Sequence, residues 1–317
     1  MARLLLCFLV LSNLSCATGW VEPNRDFDFR KLKIQMVSLF NQHTNPQNSH
    51  KTWRGDWLFR RERLAVMDRE LSDLKPDLAI FQNMMRRDSN PFESDEGILS
   101  AGALRGYRWS VSKVFDHTDT GEEESLGLAF SSSFEIPEES TQNSVVIEGT
   151  ALALQTLKLE HQAILIANID LADKTTEKSF EKIIEEIKKK INTDHICPQR
   201  IIFAIHSSRE LEDRVLQLAD KFSLQDSAKG FCNTEADCFT AGPANKIYNL
   251  VYGETLAQRV DFLFVPAKTF ISKSERNMTE PRQSDFGYFK QFGLEALWPS
   301  DRYGWRTDLT LARCQLK

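Results

Sequence analysis

The sequence predicts an α/β fold. An amphipathic stretch at 57–74 leads into the short apolar run 77–83, the helix-then-buried-strand order of α/β architecture. Alternating or continuously apolar segments recur along the rest of the chain. Polar residues collect where these segments end, at Asn41, at Gln82-Asn83 and from Asn168 to Asp170. The chain has 317 residues and no linker-like stretch divides it, so one domain is predicted over 20–317.

Residues 1–19 read as a secretory signal peptide. Arg3 precedes an apolar run from Leu4 to Leu14, and the small residues Ser15, Ala17 and Gly19 provide an exit. That run is too short to span a bilayer, and no later segment reads as transmembrane. A secreted or periplasmic product is predicted. Lipidation at Cys16 is the competing reading, and Asn13 stands where such a signal wants a branched apolar residue.

Segment 32–39 alternates as a half-buried strand does, and Asn41 follows its exit. A polar loop, 42–52, leads to the helix at 57–74, where Leu58, Leu64, Met67, Leu71 and Leu74 recur near helical spacing and Pro76 follows the end. The run 77–83 suits a strand covered on both faces. Further strands are predicted at 107–114, 126–131, 145–158 and 162–168. A helix at 178–191, whose charges at 185–190 read as a solvated face, precedes a strand at 201–208, a helix at 209–222 and a strand at 259–266. The segment 268–290 reads as irregular, and the last strand is placed at 307–314 after a loop at 300–306.

The formal net charge of −5 supplies no basic field, which disfavours non-specific nucleic-acid binding. Four cysteines follow the leader: Cys197, Cys232, Cys238 and Cys314. An even count in an exported chain predicts disulfides, and the short separation of Cys232 from Cys238 suggests that they pair. The spacing of Cys197 and Cys314 decides nothing about theirs. The histidines His43, His50, His161 and His195 form no ligand spacing. Trp53, Trp57, Trp298, Tyr303 and Trp305 are candidates for a binding platform or for the core.

In order along the chain, VSLFN (37–41), RRERLAVMDRELSDLKPDLAIFQN (60–83), SLGLAFSSSFEI (125–136), QAILIANID (162–170), IIFAIHSS (201–208), RVDFLFV (259–265) and SDRYGWRTDLTLA (300–312) resemble the motifs of the endonuclease/exonuclease/phosphatase superfamily. The resemblance implies a four-layer α/β sandwich, with two packed mixed β-sheets flanked by helices. It also implies metal-assisted phosphodiester cleavage, which needs a carboxylate cluster for the cation, a general base and donors to the phosphate.

At the positions that match, Asn41, Asp261 and Asp301 agree with the family's phosphate-orienting asparagine, supporting aspartate and base-orienting aspartate. Asn83 stands for the metal-binding glutamate and Asp170 for the phosphate-facing histidine. His206 and Ser208 stand for the aspartate and asparagine of Gly-Asp-Phe-Asn, and Arg302 for the terminal catalytic histidine. An amide at 83 is a poor ligand for a hard cation, and an arginine at 302 cannot accept a proton.

These substitutions predict a catalytically impaired pseudoenzyme that acts as a monomeric binding module for a protein or a phosphorylated ligand, with no cofactor. The alternative is a divergent phosphodiesterase in which Asp170, His206 and Asp301 hold a divalent ion (Mg, Mn or Zn), a site in which Asp261 could also share.

Overall fold

The computed structural model describes residues 30–39, 60–86, 94–112, 116–117, 123–138, 143–148, 150–171, 175–241, 258–279 and 303–314. The strands are β1 (Leu32–Ser38), β2 (Leu78–Arg86), β3 (Arg108–Val111), β4 (Asp116–His117), β5 (Glu123–Phe130), β6 (Asn143–Ile147), β7 (Thr150–Leu159), β8 (Gln162–Leu171), β9 (Ile201–Ser207), β10 (Leu224–Asp226), β11 (Asp261–Pro266), β12 (Phe270–Asn277) and β13 (Gly304–Thr310). The α-helices are α1 (Arg60–Leu74), α2 (Asp95–Ala101), α3 (Glu177–Thr193) and α4 (Glu212–Lys221). One sheet runs β12-β13-β1-β2-β5-β3 with β4 beside β5; the other runs β10-β11-β9-β8-β7-β6.

Each sheet contains one parallel pair, β1 with β2 and β8 with β9, and each pair is joined through a helix, α1 or α3. A parallel pair requires such a crossover. Strand alternation then sorts the side chains. Ile34, Met36 and Ile80 of one sheet meet Ile164, Ile166, Ile202 and Leu263 of the other in the central core. Val37, Ala79 and Phe81 face outward onto Leu64, Met67 and Leu71 of α1. On the far side Leu165, Phe203 and Phe264 face Phe180, Ile183 and Ile187 of α3 and Val215 and Leu218 of α4. The result is the four-layer sandwich that the resemblance implied.

Helix ends follow local chemistry. Thr176 caps α3 by accepting from the Ser179 N–H at 3.2 Å. Lys75 closes α1 at φ 44°, its N–H reaching the Leu71 carbonyl at 2.9 Å, so a left-handed stop forms without glycine. Among the described residues no helix is long and apolar enough to cross a membrane.

Several sequence expectations need correction. The stretch 145–158 is a hairpin rather than one strand, broken between β6 and β7 at Glu148, whose φ is 50°. Strand β12 lies inside the segment read as irregular; it is an edge strand with one mostly exposed face, so its residues alternate weakly. The last strand begins at Gly304, inside the expected loop, because the Asn277 and Gln35 amides press against that residue. A Cβ there would meet them at 2.6 and 2.7 Å.

Lys190 is buried rather than on the solvated face, and its ammonium lies 2.9 Å from Asp194. Tyr303 and Trp305 are core residues at 4% and 2% exposure. Asn277 exchanges amide hydrogen bonds with Gln35 at 2.8 and 3.0 Å.

Burial raises the Asp308 carboxyl, but hydrogen bonds and charge from Arg306 and Lys31 outweigh it and hold the pKa below the ordinary carboxylate value. Its stabilisation is therefore complete above the unfolded-state pKa and is lost as pH falls through the lowered folded value. Chemical denaturation at pH 7 and pH 3 will show a smaller acid loss in Asp308→Asn than in the native protein.

Candidate functional site

Because β1, β2, β8 and β9 are parallel in pairs, their C-terminal ends gather inward-facing polar residues at one end of the sandwich. Ser38, Gln82 and Asn83 come from the first sheet, and Asn168, Asp170 and His206 from the second. Strand β11 runs antiparallel to β9, which places Asp261 opposite His206. Asp170 is the registered partner of His206 on the other side.

Asn83 lies at a register shift in the β2–β5 pairing, with φ 51° and 1% exposure. Asparagine tolerates this left-handed conformation better than most residues. Its Nδ2 donates to Asp170 Oδ2 at 3.0 Å, and its Oδ1 accepts from the Ser38 hydroxyl at 2.9 Å. A carboxylate only accepts, so the Asp170 contact fixes which end of the amide faces which partner. The side-chain oxygen is thereby engaged by Ser38.

Deeper in, Gln82 Nε2 donates to Asn168 Oδ1 at 3.2 Å and to the Ile169 carbonyl at 3.1 Å. Asn168 Nδ2 returns to the Phe81 and Gly127 carbonyls at 2.8 and 3.3 Å. These amides cross between the sheets, and burial makes each bond costly to lose.

His206 and Asp261 form a buried pair, Nδ1 to Oδ1 at 2.7 Å, with side-chain exposures of 8% and 3%. Thr240 Oγ1 accepts from the N–H groups of Val260 and Asp261, each at 3.0 Å, and so fixes the start of β11. Asp261 Oδ2, Gln82 Oε1 and Ser208 Oγ are buried and make no hydrogen bond among the described residues.

Of the residues singled out from the sequence, Asn83, Asp170, His206 and Asp261 are brought together, and Ser208 follows the end of β9. Asn41, Asp301 and Arg302 lie outside the described residues, as do the leader, His43, His50, Trp53, Trp57 and Trp298. Among the described residues no three His, Cys, Asp or Glu side chains are grouped so as to hold a metal ion.

Sequence reasoning missed Ser38, Gln82 and Asn168 as members of the network. The inward register of β1, β2 and β8 was the signal that pointed to them. His161 and His195, which make no ligand spacing in the sequence, line one cavity of about 320 Å³ with Asp194.

Both disulfides are present among the described residues. Cys232 pairs with Cys238 as expected, and Cys197 pairs with Cys314.

No protein-family model and no curated protein matches the sequence. Solved structures do. An endonuclease/exonuclease/phosphatase family protein from Bacteroides thetaiotaomicron is similar at 16% identity and TM-score 0.58, covering 89% of this chain and 98% of that one. A mannosyl-6-phosphatase from the same organism is similar at 17% identity and TM-score 0.58, covering 88% and 99%. TDP2 of D. rerio, in complex with a single-stranded DNA product, is similar at 15% identity and TM-score 0.58, covering 88% and 98%. Likeness at these identities is likeness of architecture, and the architecture of this chain is the endonuclease/exonuclease/phosphatase fold.

Proposed function

We propose that this chain is a secreted protein that retains the endonuclease/exonuclease/phosphatase fold as a binding module with impaired catalysis. The observation that carries the reading is the state of Asn83. At the position that the resemblance gives to the metal-binding glutamate, a neutral amide gives its NH₂ group to Asp170 and its oxygen to Ser38. A hard cation such as Mg²⁺ seeks several oxygens, usually including carboxylates. The residues present do not fit it.

Asp170 and His206, exchanged relative to the family's order, do not restore the arrangement. Asp170 takes the Asn83 amide, and His206 directs Nδ1 at Asp261. The two disulfides suit an oxidising, extracytoplasmic compartment. At the exit of β9 the Ser208 hydroxyl, without a hydrogen bond among the described residues, suits a phosphorylated ligand, with Asn41 and Arg302 as the residues the resemblance would place beside it.

A second reading rests on the His206–Asp261 hydrogen bond. A carboxylate that holds one imidazole nitrogen is a common way of positioning a histidine for proton transfer, and under this reading Asp170, His206 and Asp301 serve a divergent metal-dependent phosphodiesterase.

Hydrolysis of bis(p-nitrophenyl) phosphate by the disulfide-intact protein, with Mg²⁺, Mn²⁺ and Zn²⁺ added in turn, separates the two. The binding-module reading predicts no turnover above that of His206→Ala. Metal-dependent turnover that disappears in His206→Ala would establish the hydrolase instead.

A further inference from the structure

A cavity of about 620 Å³ opens on the flank of the second sheet, where α4, the edge strand β10 and the loop closed by the Cys232–Cys238 bridge meet. Its size lies within the range of small-ligand and side-chain pockets. None of Ser38, Asn83, Asp170, His206 or Asp261 lines it, so it is separate from the site between the sheets.

The walls are held in place from several directions. Thr234 and Asp237 cap each other inside the six-residue separation that the disulfide spans. Arg259 grips Asp226 through two nitrogens, at 2.5 and 2.7 Å, and lies over the Phe262 ring at 4.5 Å. A cavity with fixed walls loses little entropy when it is filled.

Its surface mixes apolar and polar groups: Leu216, Leu224, Phe239 and Phe264 line it beside acidic side chains. Leu216 on α4 lines the cavity at 43% exposure, and the half-buried Phe239 lines it just after the loop that the Cys232–Cys238 bridge closes. Asp226 is neutralised by Arg259. Glu212, Asp220 and Glu235 line the same cavity, each exposed and without an ion pair among the described residues, and Lys229 is the opposing cation.

We propose that this cavity binds a basic segment of a partner protein, with a leucine- or phenylalanine-type side chain seated against Leu216 and Phe239 and flanking lysine or arginine groups on the carboxylate rim. The partner's chemistry follows from charge complementarity: a hollow with apolar walls on one part and exposed carboxylates on another attracts a cation with an apolar body and repels an acidic or phosphorylated segment. The proposal is independent of the reading given to the inter-sheet site.

The test uses a fluorescein-labelled peptide, acetyl-Lys-Leu-Lys-Phe-Lys-amide, titrated against the disulfide-intact full chain and followed by anisotropy. Saturable binding is expected. It should weaken by about tenfold or more in Asp220→Lys/Glu235→Lys and in Leu216→Ser, and remain unchanged in Asp170→Asn. The analogue with glutamate in place of every lysine should not bind. All substitutions in the cavity are at exposed positions, and an unchanged urea midpoint confirms the fold of each variant. No saturable binding by the native protein, equal binding of the acidic analogue, or affinity unaffected by the charge reversal would each overturn the proposal.

Discussion

Removing the Cys197–Cys314 bridge, as Cys197→Ala/Cys314→Ala, should destabilise the protein by about 5 kcal/mol, against about 2 kcal/mol for Cys232→Ala/Cys238→Ala. The difference arises in the unfolded chain. The first bridge joins residues 117 apart and the second residues 6 apart, so the first withdraws far more loop entropy when the protein unfolds. Position adds to this. Cys197 precedes β9 in one sheet and Cys314 follows β13 in the other, so the bridge ties the sheets together at the end opposite His206. Urea unfolding of the two oxidised variants beside the native protein measures the contrast. Equal losses from the two would contradict it.

Asn83→Glu should lower stability by about 3 kcal/mol when no divalent ion is present. The new carboxylate would replace an NH₂ donor 3.0 Å from Asp170, at a position 1% exposed, so two like charges would share a poorly hydrated space. It would also occupy φ 51° with a side chain less suited to that region than asparagine. The same change puts a charged oxygen ligand beside Asp170, where the native chain has an amide. Addition of Mn²⁺ should therefore recover part of the loss in the variant, by an amount that grows with the logarithm of metal concentration.

How far the sequence revealed this arrangement differs from element to element. The crossover β1-α1-β2 was legible because the leucine spacing of the helix and the unbroken apolar run of β2 are strong periodic signals, and Pro76 marks the boundary. Strand β12 was hidden because it lies at a sheet edge and carries Lys273, Glu275 and Arg276, which read as loop. Gly304 fell within the loop expected at 300–306, whereas its role is to admit two amide side chains against the backbone of a strand.

At the candidate site, strand exits pointed to Asn83 and Asp170, since strand ends of an α/β sheet are where polar side chains escape the core, and the family resemblance pointed to His206 and Asp261. Their pairing was not legible. A register between β9 and β11 and a left-handed backbone at Asn83 are properties of the assembled sheets, and neither leaves a periodic trace in the sequence. The inter-sheet amides Gln82 and Asn168 were equally hidden, because a polar residue in an apolar run reads as an exit until its partners across the core are known.

The account turns on whether the site between the sheets holds a divalent ion, and calorimetric titration of Mn²⁺ into the native protein, with Asn83→Glu and Asp170→Asn in parallel, tests this most directly. The account predicts no saturable heat from the native protein beyond that of Asp170→Asn, and saturable binding in Asn83→Glu. Saturable binding by the native protein that Asp170→Asn abolishes would contradict it and return the site to metal-dependent chemistry.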